Sequence, residues 1–498
     1  MPTARVVPRA LSTRVSLPAG VLALAAAVML LVASQARAAD TVYWADFGAG
    51  QISFANLAGG GAGALDVSGA DATGANGMAI DAAAGKAYWV TGAGKVFFAN
   101  LSGGGGGQLN TAGASEGFQL GAAIDPIGGR IYWVAEGNIT YANLNGSGGG
   151  DLDTSGATVN GPSGVAVDHA SGRVYWSNSG GGAPKVSYAS INGGGGGDVA
   201  NTDATGDASG LAIDAAAGRA YWANFGEDKI SYAALNGLGG GDVNTAGATV
   251  DGPFGVAVDP IAGRVYWANE QGAKISYANL DGSGGADLDT GALTIDLPAF
   301  PVLLKAPAAA TAPLATGGSK PGSTLTCTAG TWAPDLLESF LYRVPQTTSL
   351  QWLKDGQPIA GATAPTYAAA AVGNYSCQSL AANHAGSSSQ TSTSVAIFSL
   401  GKKAKLNRKK GTATLSVQVP GAGTLTLTGK QVVKQKRTRN AATAGTIKLL
   451  IKAKGKAKKA LDNKGKAKVK LTVAFAPASG SAAGQVKKLV LKKNPAGS

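Results

Sequence analysis

Ala212-Ile213-Asp214, Ala215-Ala216-Ala217-Gly218-Arg219, Tyr221-Trp222 and Ile230-Ser231-Tyr232-Ala233 follow in close succession, and their reading decides the fold. An apolar run ends in Asp, a four-residue turn ends in Gly plus a base, an aromatic pair opens the next run, and a third run alternates. Period-2 alternation broken by Gly-containing turns is the pattern of short antiparallel strands. The unit recurs around Tyr43-Trp44, Tyr88-Trp89, Tyr132-Trp133, Tyr175-Trp176, Tyr221-Trp222 and Tyr266-Trp267, at steps of 45, 44, 43, 46 and 45 residues. A Gly-rich turn and a short Leu/Val-Asp/Asn strand complete each copy. Four strands repeating at a period in the forties are what one β-propeller blade requires. The expected class is all-β, headed by a six-bladed propeller over residues 39–304.

The first Tyr-Trp strand lacks an Asp-ending strand before it, so the far end of the repeats must supply one or leave two open sheet edges. Aligning Thr249-Val250-Asp251-Gly252-Pro253 with Thr294-Ile295-Asp296-Leu297-Pro298 makes Phe300 to Leu304 the expected closing strand. In such a meander the loops after strands one and three share one face, and those after two and four share the other. The first set is monotonous. The second varies from copy to copy, and it carries Phe47, Phe118, Phe225 and Phe254 with Glu136, Glu227, Asp228 and Glu270. Variation on a repeated scaffold marks a candidate ligand face. A structural role for the Phe rings, plugging between blades, is the competing reading.

Two positions after each Trp stand Asp46, Thr91, Ala135, Asn178, Asn224 and Asn269. The repeats resemble the YWTD repeat of lipoprotein-receptor-type six-bladed propellers, with Thr91 and Ala135 departing from that family's Asp. The resemblance implies a ring of six sheets that binds other molecules, usually without catalysis.

A leader precedes the repeats. Arg5, Arg9 and Arg14 lead into an apolar stretch from Leu17 to Val32, and Ala36-Arg37-Ala38 offers small residues for cleavage, so residues 1–38 read as a secretory signal peptide. A retained anchor is the alternative. No second apolar stretch is long enough to span a bilayer, so no transmembrane segment is expected in the mature chain. Charge is polarised. Residues 40–304 hold 25 acids against 9 bases, a balance of −16, whereas residues 399–498 hold 25 bases and one acid, Asp462, a balance of +24.

The second domain, residues 305–398, holds both cysteines, Cys327 and Cys377. Export makes their disulfide the default reading, with two buried thiols as the alternative. Trp352 lies between them, and Tyr375 stands two residues before the second. This resembles an immunoglobulin-like sandwich with its tyrosine corner. Trp352 comes later after the first cysteine than in that family, which an insertion around Ala333 to Thr348 would explain. The third domain, residues 399–498, alternates as in Lys468-Val469-Lys470-Leu471-Thr472-Val473, so a basic β-sandwich is expected. Its densest charge is placed in loops, at Lys402 to Lys410, Lys434 to Arg439 and Lys452 to Lys459, with Lys434, Lys436, Arg437, Arg439, Lys456, Lys458 and Lys459 as the candidate polymer contacts. An electrostatic anchor to an anionic envelope polymer is the functional reading, a solubilising surface the plain one, and docking on the chain's own acidic propeller a third. Phe475 is its lone stacking residue, which argues against sequence-specific nucleic-acid recognition.

Catalytic equipment is sparse. His169 and His384 are the only histidines, and HExxH and Gly-x-Ser-x-Gly are absent. The five Asp residues that end inner strands (Asp81, Asp125, Asp168, Asp214, Asp259) read as acceptors closing their own hairpins. No cofactor is expected. Calcium stays open at Gly148–Asp153 and Gly285–Asp289, although calcium nonapeptides need tandem copies where these have one per blade. The chain is therefore read as a secreted, surface-associated, non-enzymatic binding protein for an extracellular protein or glycan. A propeller lyase or hydrolase with a carboxylate-held metal is the alternative.

Overall fold

Six sheets carry the six copies, each with four antiparallel strands, and the first gains a fifth, parallel strand from further along the chain. The structure, a computed structural model, describes residues 39–180, 185–199 and 207–494, and the expected leader lies outside them. In the fifth copy the strands are Ala208–Asp214, Arg219–Asn224, Lys229–Ala234 and Gly240–Asp242, in that spatial order. Each Trp of a Tyr-Trp pair is wholly buried, and the rings join one continuous core. Each Tyr packs on the aromatic ring opposite it on the third strand, at 5.7 to 6.0 Å between centroids. The base after each turn Gly covers that third-strand ring. Arg173, for example, stands 4.2 Å from the Tyr188 centroid. Cross-strand aromatic pairs and cation–π contacts hold the register that alternation alone leaves loose.

Pro298–Leu304 closes the ring. It pairs antiparallel with Thr41–Asp46, setting Val302 opposite Tyr43 and Leu303 opposite Val42. The expected closing strand is thus the inner strand of the first blade, and the ring has no free sheet edge at the junction.

The next unit is a disulfide-bridged sandwich. Cys327 lies on the sheet of Leu314–Gly317, Ser323–Thr328 and Thr366–Ala369, and Cys377 on the sheet built around Thr347–Lys354 and Gly373–Asn383. Trp352 stands directly opposite Cys377 and is fully buried beside the bridge. Part of this unit does not stay in it. Leu341–Tyr342 adds to the inner edge of Pro298–Leu304 as a parallel strand, and Leu337, Phe340, Leu341 and Tyr342 are buried in the propeller core. The expected insertion is therefore a stopper in the ring.

The basic unit packs two four-stranded sheets around one core. Its charged segments differ from expectation. Gln435–Arg439 is a strand, Lys405–Asn407 is another, and Gly455–Lys464 is a helix where a loop was expected. Alternation is interrupted in Lys454 to Lys459, yet Ala457 and Leu461 at i and i+4 give that helix an apolar stripe on the core. Among the described residues no helix is long and apolar enough to cross a membrane.

Candidate functional site

The inner strands bulge at one equivalent position, and glycine occupies it in five blades: Gly77, Gly121, Gly164, Gly210 and Gly255. Here neighbouring backbones meet around the axis. A Cβ on Gly77 would stand 2.8 Å from the Cα of Gly121, and one on Gly255 would stand 2.6 Å from the Cα of Phe300. Only a residue without a side chain permits this approach. Phe300 takes the sixth place with φ 45°. Its ring reaches across to the third blade, 3.2 Å from where a Cβ on Gly121 would lie. Five glycines and one phenylalanine thus floor the channel.

Above that floor lies a cup of about 380 Å³ to which every blade contributes. Phe47, Phe118, Phe225 and Phe254 supply aromatic walls, together with Leu120. Asn76, Ser163, Ser179, Asp207, Ser209 and Glu270 supply the polar groups. Phe225, Phe254 and Phe300 stack edge to face, with centroids 6.0 and 5.1 Å apart. Phe47 and Phe118 converge from the other side over Gly92. Phe118 is 53 % exposed, a rim residue. Glu270 is half-buried, and that burial raises its carboxyl above the ordinary glutamate range.

Five of the eight residues expected on this face, Phe47, Phe118, Phe225, Phe254 and Glu270, thus meet in the cup. The other three do not line it. Glu136 is exposed in a left-handed turn, Glu227 lies 3.4 Å from Lys229, and Asp228 accepts the Gly252 amide at 2.8 Å. Besides Ser179 and Asp207, sequence reasoning missed Asn76, Leu120, Ser163 and Ser209. Their signal was available, since each immediately precedes a floor glycine and varies between copies while the glycine stays.

Below the floor the Asp-ending turns form a second ring. All five carboxylates accept amides of their own hairpins, as in Ala84 N–H to Asp81 and Ala217 N–H to Asp214, each at 2.9 Å. Two of them have a charged or titratable second partner. Asp125 meets His169 at 3.0 Å, and Asp259 meets Lys305 at 2.7 Å. The stopper is pinned by Ser339, whose hydroxyl donates to the Ile213 carbonyl at 2.5 Å, and by the Phe340 carbonyl, which accepts the Leu303 amide at 2.8 Å. Glu338 is brought toward Asp168 and Asp214. Burial first, and then those charges, push its carboxyl up to about 7. The channel is therefore closed twice, and the cup opens on one face alone.

On the basic unit, Lys434, Lys436 and Arg437 are exposed on or beside one strand, whereas Arg439 turns back to its own loop carbonyls at Thr443 and Ala444. Lys456, Lys458 and Lys459 project from the helix, with Lys458 3.0 Å from Asp462. Among the described residues, no group of three His, Cys, Asp or Glu side chains is placed to share a metal ion. No family model matches the sequence, and no curated protein matches it. Among solved structures, the chain is similar to one from a crystal structure of a nidogen/laminin complex, at 19% identity over 53% of this chain and 98% of that one, with a TM-score of 0.45. It is also similar to virginiamycin B lyase from Staphylococcus aureus, at 14% identity over 43% and 70%, with a TM-score of 0.34. Neither likeness bears on activity or partner.

Proposed function

We propose that the chain is an exported, cell-envelope-associated binding or adhesion protein, with the propeller as its recognition head. In this reading residues 39–304 are a YWTD-type head, residues 305–398 an immunoglobulin-like spacer, and residues 399–498 an anchor to anionic envelope polymer, behind a leader at residues 1–38. The cup carries the reading. A concave site built from six blades, in which four aromatic rings face six polar residues, suits the capture of part of a protein or glycan ligand. Variation at its walls over a floor that is glycine in five blades of six supports the same role, because scaffold and recognition are divided between positions. The Tyr375 hydroxyl, which donates to the Ala371 carbonyl at 3.1 Å, supports the immunoglobulin-like assignment. The disulfide supports export. A surface with one acid among its bases supports the anchor, since ordinary surfaces mix both signs.

Glycan and protein binding screens on the chain from residue 39 onward test the head. A ligand whose binding falls at least tenfold in Phe225→Ala is expected; a ligand indifferent to every cup substitution would contradict the assignment. The anchor predicts retention on an anionic matrix that weakens steeply with salt. A second reading, a propeller enzyme, draws on Glu270, a cup carboxyl that burial raises above the ordinary glutamate range, in the direction an acid–base catalyst needs. Turnover abolished by Glu270→Gln, or a divalent ion bound stoichiometrically in the channel, would favour it.

A further inference from the structure

Resting on the reading of the cup as the head's binding site, we infer that its occupant is an organic cation, an alkylated ammonium or a guanidinium group on an apolar stem. Glu270 makes the first argument. Its side chain is half-buried in the cup wall, and among the described residues it has neither an ion pair nor a hydrogen bond to its carboxylate. A carboxylate drawn out of water with no partner is held at a cost, which a cation brought by a ligand removes. None of the other lining residues is basic, and the second charged one, Asp207, is also an acid. Among the described residues the cup therefore has a charge to neutralise and no lining base to neutralise it.

The walls make the second argument. Ring faces carry negative potential, and four phenylalanines lining the same cup as Glu270 favour a soft, weakly hydrated cation while burying its carbon stem. A phosphate or carboxylate ligand would meet repulsion. A neutral sugar would donate hydroxyl hydrogen bonds to Glu270 but bring no opposite charge. The propeller's balance of −16 also favours cations over anions near the head as a whole. Volume is consistent with one headgroup and a short stem, because about 380 Å³ lies at the small end of ligand sites. Such a cation could arrive as a free amine or as an Arg or Lys side chain displayed by a protein.

Calorimetry or ligand-observed NMR on the chain from residue 39 onward would compare choline with its neutral isostere 3,3-dimethylbutan-1-ol. N-acetyl-arginine methylamide against the citrulline counterpart would report on the side-chain source. The expected result is at least a tenfold preference for one cation over its neutral partner. That preference should vanish in the near-isosteric Glu270→Gln and persist in Asp281→Asn on the opposite face. Unchanged melting of both variants keeps the comparison interpretable. Equal binding of cation and isostere, or a preference that survives Glu270→Gln, overturns the inference. A neutral glycan whose binding is lost in Phe225→Ala would also overturn it while leaving the head as a binding module. No cup-dependent ligand of any kind would sink both.

Discussion

Glu338 offers a direct perturbation of the stopper. Burial, reinforced by the charges of Asp168 and Asp214, moves its carboxyl from 4.5 to about 7. The folded state therefore holds this proton more tightly than the unfolded chain does, so the group's contribution is whole below about pH 4.5 and is lost as the pH rises through about 7. A displacement of that size corresponds to roughly 3 kcal/mol of stability by the alkaline end of the window. Glu338→Gln keeps the shape and removes the titration. Wild type and variant should unfold together near pH 4.5 and diverge above it. At pH 8 the variant should be the more stable, by up to about 3 kcal/mol in denaturant titrations followed by Trp fluorescence. Asp335, also raised by burial, is common to both chains, so the difference isolates Glu338. Curves that stay parallel from pH 4.5 to pH 8 would refute the placement of this carboxyl among the inner-strand acids.

Three further outcomes are expected. Gly210→Ala puts a methyl group onto the backbone of Gly255 and should cost about 1–3 kcal/mol while the ring still forms, read by chemical unfolding; an unchanged midpoint would mean the inner strands do not meet there. Leu303→Asp buries an unpaired charge in the closing strand and should abolish the propeller's cooperative transition in calorimetry; a transition of undiminished sharpness would refute the closure. Reducing Cys327–Cys377, which are 50 residues apart, should lower sandwich stability by at most about 4 kcal/mol on the chain-entropy model. An unaltered sandwich transition would contradict that.

Much of the ring could be read in the chain because its determinants are local and repeated. Tyr-Trp pairs, turn-closing Asp residues and the Gly-base step each fix one blade, and six copies in register leave little freedom in how they assemble. The closing strand was legible because Thr294-Ile295-Asp296-Leu297-Pro298 restates the lead-in of the sixth copy. Five cup residues were legible because they are bulky or charged exceptions in loops that otherwise repeat. Phe300 as a floor was not, since its role depends on five glycines from other blades and on a left-handed backbone that no local pattern announces. The stopper was visible only as surplus length between Cys327 and Trp352. Its destination is set by non-local pairing with Leu303, which periodicity within the second unit cannot show. The helix at Gly455–Lys464 was missed because its run of lysines hides a stripe of only two buried residues, Ala457 and Leu461.

The central claim, that the channel is a cup with one mouth, is tested by thiol labelling from its two sides. Ser179→Cys lines the cup, and Ser339→Cys lies in the stopper below the floor. With the native disulfide intact, the folded chain should take up a small maleimide at Ser179→Cys and leave Ser339→Cys unmodified until denaturant is added. Comparable labelling of both positions in the folded protein would mean an open channel and would contradict the account.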